Sequence, residues 1–223
     1  PMTNHLFEPY SSYRQYSIEE MQKRSKEFLK GIVRRRTVRD FSDKPVPRDI
    51  IENCIKAAGS SPSGANHQPW HFVVVTDTDT KTDIRKAAEE EERLLYNKRA
   101  SKEWLEALAP LETDENKPFL EIAPYLIVVI AESHSLDIDD NKIKHYSVSE
   151  SVGIATGILI TALHNAGLVT LTHTPSPMNF LRRILRRGKN ERAFIILVTG
   201  FPAEDAKVPV LEKKNFEDYT SFI

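Results

Sequence analysis

Four short runs rich in β-branched residues set the strongest limit on how this chain can fold: "HFVVVTD" from His71, "PYLIVVIAE" from Pro124, "GLVTLTHT" from Gly167 and "RAFIILVTGFP" from Arg192. Each is bounded by Pro, Gly or Asp, and its apolar residues are continuous rather than alternating. That is the pattern of strands covered on both faces. Between them lie long helical segments, "DTDTKTDIRKAAEEEERLLYNKRA" and "SVSESVGIATGILITALHNAG", so the expected layers are helix, sheet, helix. An α/β or α+β domain spanning 1–223 follows, with no repeat of fixed period and no low-complexity linker.

Start and stop signals place two more helices. Ser17 and Glu20 form an S-x-x-E capping box ahead of a stripe of Ile18, Met21, Phe28, Leu29 and Ile32,. A second helix opens with Pro47 in its first turn and stops at Gly59,. The segment from Ser147 to Ala166 is apolar nearly all round and carries Gly153 and Gly157 four apart. Such spacing lets another helix approach closely, which marks a central helix or a subunit interface.

Composition narrows the partners. With 31 basic and 32 acidic residues the formal charge is −1, so no global field draws the chain to nucleic acid or a membrane surface, and ligands must be recognised locally. The lone Cys54 excludes an internal disulfide, fits a reducing compartment and sits on a helix face as a small buried residue. The first residues lack the basic-then-apolar pattern of a leader, and "IATGILITAL" is far below the roughly 20 residues of a membrane span. The expectation is a cytoplasmic protein.

The chemistry gathers in two places. "RRRTVRDF" sets Arg34, Arg35, Arg36 and Arg39 around Thr37, and guanidinium forks at this density suit a phosphate, although runs of charge are more often solvated faces. "SSPSGANHQPW" leads into a strand. Neither G-x-G-x-x-G nor G-x-x-x-x-G-K-[ST] occurs, no G-x-S-x-G marks a nucleophile, and His67 and His71 lack the companions of a metal site. Residues 101–121 mix Trp104, Leu105, Leu108, Leu111 and Phe119 with Pro110, Pro118 and dense charge, which reads as a lid or an irregular surface connection. Residues 203–223 keep Phe216, Tyr219 and Phe222, as tails that dock on something do.

Taken together, "RRRTVRDF", "PSGANHQPW", "GLVTLTHTP" and "GFP" resemble, in order and spacing, the FMN-dependent nitroreductase superfamily. "EEEERLLYNKR", "ENKPFLEIAP" and "THTPSPMN" further resemble its iodotyrosine-deiodinating branch. The resemblance implies an α+β, three-layer α/β/α fold with a mixed, mainly antiparallel sheet. It also implies a domain-swapped homodimer with active sites at the subunit interface, residues 1–16 an N-terminal extension, 101–121 a lid and 203–223 packing on the partner subunit.

By position in the family motifs, the FMN-binding residues would be Arg35, Arg36, Thr37, Val38, Arg39, Pro62, Ser63, Gly64, Asn66, Thr172, His173, Thr174 and Lys213. Gly64 and Ala65 would allow close approach of the flavin. Lys213 stands where the family has an arginine, and lysine meets a phosphate without a bidentate fork. Glu92 would meet the ammonium of a halotyrosine, Lys117 its carboxylate and Tyr96 the same end, with the amide of Ala65 on the phenolate. Thr174 would be catalytic, donating to the flavin and favouring sequential one-electron transfers that release iodide and tyrosine. The electron donor would be NAD(P)H or a reductase. "ANHQPW" also resembles general nitroreductases, so an NAD(P)H-dependent nitro- or quinone reductase is the alternative.

Overall fold

The four apolar runs become one antiparallel sheet. The computed structural model describes residues 6–111 and 113–223. Its strands, in chain order, are β1 (Trp70–Val75), β2 (Tyr125–Glu132), a hairpin of β3 (His134–Leu136) and β4 (Lys142–Lys144), β5 (Val169–His173) and β6 (Glu191–Gly200). The main sheet runs β1-β2-β6-β5 with every pairing antiparallel. A single parallel bridge, Thr37 to Thr170, adds residues beside the arginine run to the outer edge of β5, where the Val38 N–H donates to the Thr170 carbonyl at 3.2 Å. The sheet is thus mixed only at that edge.

The helices are α1 (Ile18–Ile32), α2 (Arg48–Gly59), α3 (Thr78–Leu94), α4 (Lys102–Leu108), α5 (Phe119–Ile122), α6 (Val148–Asn165) and α7 (Asn179–Ile184). The chain divides into two units, the residues through Arg35 and then Arg36–Ile223. In the first, Ser17 caps α1 by accepting from the Glu20 N–H at 3.2 Å. The Glu20 carboxylate pairs with Arg24 at 2.7 Å, so only the serine half of the expected box is seen. Ile18, Met21, Phe28 and Leu29 are exposed on that helix.

In the second unit each strand residue is sorted by the two-residue period. Leu126, Val128 and Ile130 face Ile84, Ala88, Leu120 and Leu181 from α3, α5 and α7. Tyr125, Ile127 and Leu197 face Ile51, Cys54, Ala58, Leu159 and Leu163 from α2 and α6. This is the three-layer α/β/α arrangement, and each fully buried Leu or Ile stabilises it by about 1.5–3 kcal/mol. β2 is buried from Tyr125 to Ala131, which explains its continuous apolar run: continuity reports coverage rather than strand direction. Edge strand β1 is only partly covered.

Two local expectations shift. Pro47 is the residue before α2, not in its first turn. On α6, Gly153 and Gly157 leave open space, since nothing lies within 4 Å of a Cβ built at either. No helix among the described residues is long and apolar enough to cross a membrane.

Candidate active site

Three segments meet beside β5 and enclose a cavity of about 370 Å³: the end of α3, the stretch 104–119, and residues 171–174 with Arg39. α3 starts where Asp77 caps it, accepting from the Thr80 N–H at 2.8 Å. It gives way after Leu94 to a wider π-helical turn, Leu95–Arg99, closed by the Ala100 N–H on the Leu95 carbonyl at 2.9 Å. Glu92 and Tyr96 therefore straddle a change of helix type, yet both line the cavity.

Lys117 comes to them from the segment after α4. Its ammonium lies 3.3 Å from the Glu92 carboxylate, donates to the Asp114 carbonyl and sits 5.9 Å from the centre of the Tyr96 ring. The Tyr96 hydroxyl is 3.0 Å from both the Thr113 carbonyl and its hydroxyl. Lys117 is 5% and Glu92 8% exposed, so the pair is held out of water, where each charge depends on the other. One turn earlier on α3, Glu89 accepts from the Lys117 N–H at 2.7 Å and from Arg85 at 2.7 Å. These bonds from the lysine and its neighbours keep its carboxylate below the usual range despite burial.

His173 completes the buried polar set. Its imidazole packs edge-on against Phe119, with ring centres 5.4 Å apart, and its Nε2 has no hydrogen-bond partner among the described residues. Burial, then the positive charges of Lys117 and Arg39, lowers its pKa to about 3, so the ring is neutral at neutral pH. Thr172, near the end of β5, and Thr174, just past it, are exposed, and on the strand Thr172 falls on the face opposite to His173. Arg39 is half-buried, and burial lowers its pKa ahead of the opposing pull of Tyr96 and Asp40. A partly desolvated guanidinium favours an anionic or acceptor-rich ligand.

The remaining expected residues are spread more widely. Arg35 closes the first unit, its N–H donating to the Ile32 carbonyl at 3.1 Å. Arg36 is exposed and donates to the Pro209 carbonyl, while Val38 is buried. Asp40 is tied to the same tail, accepting from the Ala203 and Lys207 N–H groups. Lys213 is exposed and does not line this cavity.

Pro62, Ser63, Gly64, Ala65 and Asn66 do not line it either. Their turn enters β1, the edge opposite β5, about 14 Å away at three strand spacings. Ala65, Asn66 and Gln68 all have left-handed backbone, with φ of 49°, 55° and 49°. Ser63 Oγ stabilises the bend by accepting from the Gln68 N–H at 2.9 Å. The room beside Gly64 is not open: a Cβ there would lie 2.8 Å from the Tyr146 carbonyl oxygen. Sequence reasoning passed over Thr113, Asp114 and Glu89. Asp114 acts through its backbone carbonyl and Thr113 partly so, which residue type does not encode, and Glu89 is one of four consecutive glutamates.

A three-layer domain with a hydroxyl-rich edge strand, an arginine-bearing segment bridged to it and a half-enclosed cavity beside it is the architecture of flavin-binding α+β reductases. The chain belongs to the nitroreductase family, whose profile matches residues 32–201. It is 53% identical over 209 residues to the iodotyrosine deiodinase of Haliscomenobacter hydrossis, covering 94% of each chain. It is 46% identical over 213 residues to that of Danio rerio, covering 94% of this chain and 71% of the relative. Among solved structures it matches oxidized iodotyrosine deiodinase bound to FMN and 3-iodo-L-tyrosine with a TM-score of 0.72. That match is 30% identical and covers 88% of this chain and 99% of the other.

Proposed function

We propose that the chain is an FMN-dependent reductive dehalogenase that converts mono- and diiodotyrosine to tyrosine and iodide. The observation that carries this reading is the buried Glu92–Lys117 pair beside Tyr96, next to a sheet edge with free donors. A zwitterion replaces such a pair charge for charge: Glu92 takes the ammonium and Lys117 the carboxylate, so neither buried charge is stranded.

The residues present fit FMN. The hydroxyls of Thr172 and Thr174 have no hydrogen-bond partner among the described residues and stand exposed at the sheet edge. Arg39 is desolvated beside them, and the Thr37–Thr170 bridge brings Arg36 to the same edge. When bound, FMN supplies the two electrons, one at a time, that the carbon–iodine bond takes up with one proton, giving a ring C–H and iodide. Arg36, Thr37, Val38 and Arg39 would hold its phosphate and ring edge, and Thr172, His173 and Thr174 the opposite side. The segment 101–121 would close over the halotyrosine and exclude water.

The proposed active assembly is a homodimer. Pro62–Asn66 and Thr172–Thr174 lie at opposite sheet edges, so a second copy would bring its turn, with Ala65 toward the phenolate, to the first copy's cavity. The open face at Gly153 and Gly157 and the exposed Phe216, Tyr219 and Phe222 of the tail support such contacts, and Lys213 would reach the partner's site through that tail.

The test is iodide release from 3-iodotyrosine by FMN-loaded protein under dithionite, with nitrophenol as a parallel substrate. Release is expected to fall at least tenfold in Thr174→Ala while nitro reduction persists. Rapid nitro reduction with no iodide release by the unaltered protein would leave a general reductase.

A further inference from the structure

A second cavity of about 770 Å³ adjoins the first, and Trp104 and Thr174 line both. Its far side is formed by α7 and the turn into β6, through Arg182, Lys189, Arg192 and Phe194. Residues 182–192, "RRILRRGKNER", hold six cations and one acid, although the chain as a whole has a charge of −1. The acid, Glu191, is taken up by Arg187 at 2.8 and 2.5 Å and by the Gly188 N–H at 2.8 Å. Arg182, Arg183, Arg186, Lys189 and Arg192 are all exposed, and among the described residues none forms an ion pair. Arg186 holds a left-handed backbone, φ 51°, just past the end of α7, where glycine is the low-strain residue.

Five unopposed cations raise the local potential and cost stability through mutual repulsion, so a patch of this kind is a recognition surface for an anion. Its spread over helix, turn and strand exceeds one phosphate, because α7 alone is about 9 Å long. Electrostatic complementarity over a small, polar contact is the recognition mode of transient redox encounters.

We propose that this patch docks an acidic one-electron carrier protein, which delivers reducing equivalents at the rim shared by Trp104 and Thr174. The proposal rests on the dehalogenase reading for its electron count. Two reduced carriers each give up one electron for every iodide released; the carbon–iodine bond breaks with its electron pair on iodide, and the ring carbon gains one proton.

The experiment mixes the FMN-loaded protein, 3-iodotyrosine and a reduced plant-type [2Fe–2S] ferredoxin anaerobically, and follows ferredoxin oxidation at its own absorbance. The second-order rate is expected to fall at least tenfold between 50 and 500 mM salt, as steered encounters do. The triple variant Arg182→Glu, Lys189→Glu, Arg192→Glu is expected to lose at least tenfold in that rate and in ferredoxin affinity by fluorescence anisotropy. Its melting temperature and its dithionite-driven iodide release should stay those of the unaltered protein. A rate that neither salt nor the triple variant changes would overturn the docking surface, and so would equally tight binding of a DNA duplex to the patch. Loss of dithionite-driven release in the unaltered protein would instead refute the dehalogenase reading, while ferredoxin anisotropy would still report on the patch.

Discussion

Removing one member of the Glu92–Lys117 pair leaves a buried charge without its partner, and removing both does not. With side chains 10% and 6% exposed, Glu92→Gln and Lys117→Met are each expected to destabilise the ligand-free protein by about 3–5 kcal/mol. In a chain of this size that lowers the melting temperature by about 6–20 °C. The double variant replaces the pair by neutral groups of similar volume and should recover to within about 1 kcal/mol of the starting protein. Halotyrosine binding should behave oppositely. Each single variant loses a charge-to-charge contact in a desolvated site, costing about 2 kcal/mol or more, or about 30-fold in Kd. The double variant loses both contacts and should bind worst of the three. Thermal melting without ligand and titration with 3-iodotyrosine read the two quantities separately. A double variant as unstable as the singles, or one that still binds within about fivefold, would refute the exchange of an internal ion pair for a zwitterion.

Three further outcomes follow from the site. His173 has a pKa near 3 when folded against 6.5 when unfolded, so the unfolded chain binds the extra proton between these values and stability falls as pH falls through that window. From pH 6.5 to 5 the loss is about 2 kcal/mol, and His173→Leu should flatten the melting temperature across that range. An equally steep profile in the variant would count against it. Gly64→Ala places a Cβ 2.8 Å from backbone at Tyr146, and should cost about 1–3 kcal/mol together with FMN retention on gel filtration; unchanged melting and retention would show that the turn relaxes freely. Limited proteolysis should cut within 101–121 in the ligand-free protein and slow on adding 3-iodotyrosine, whereas equal cleavage in both states removes the lid.

The four strands and the long helices were legible because burial on both sides demands continuous apolar residues, and Ser17 announced its helix chemically. Strand direction was not legible, since the same run serves a parallel or an antiparallel neighbour. The hairpin β3–β4 escaped because its strands are three residues each and mostly exposed. At the site, Glu92, Tyr96 and Lys117 were named through family resemblance, and the fold places all three in one cavity. The partners that hold them were hidden, because the Asp114 carbonyl carries no residue-type signal and the Thr113 hydroxyl adds to a carbonyl that carries none either. At Gly64 the neighbouring backbone at Tyr146 takes up the space that a Cβ would need. That contact joins segments more than 80 residues apart in sequence, a distance that local pattern does not reach.

The tail's hold on the arginine run also bears on how the site is made during synthesis. Arg36 is fixed by a carbonyl 173 residues later and Asp40 by an N–H 167 residues later, while Ser42 pairs with Phe201. A ribosome emits these partners 173 and 167 residues after the groups they hold, and contacts of such separation form only after closure of a loop of that length. The emerging polypeptide therefore leaves Arg36 and Asp40 unset until those later segments have been made. A nascent chain stalled before Pro209 would carry every residue of the edge strand yet lack the carbonyl that holds Arg36.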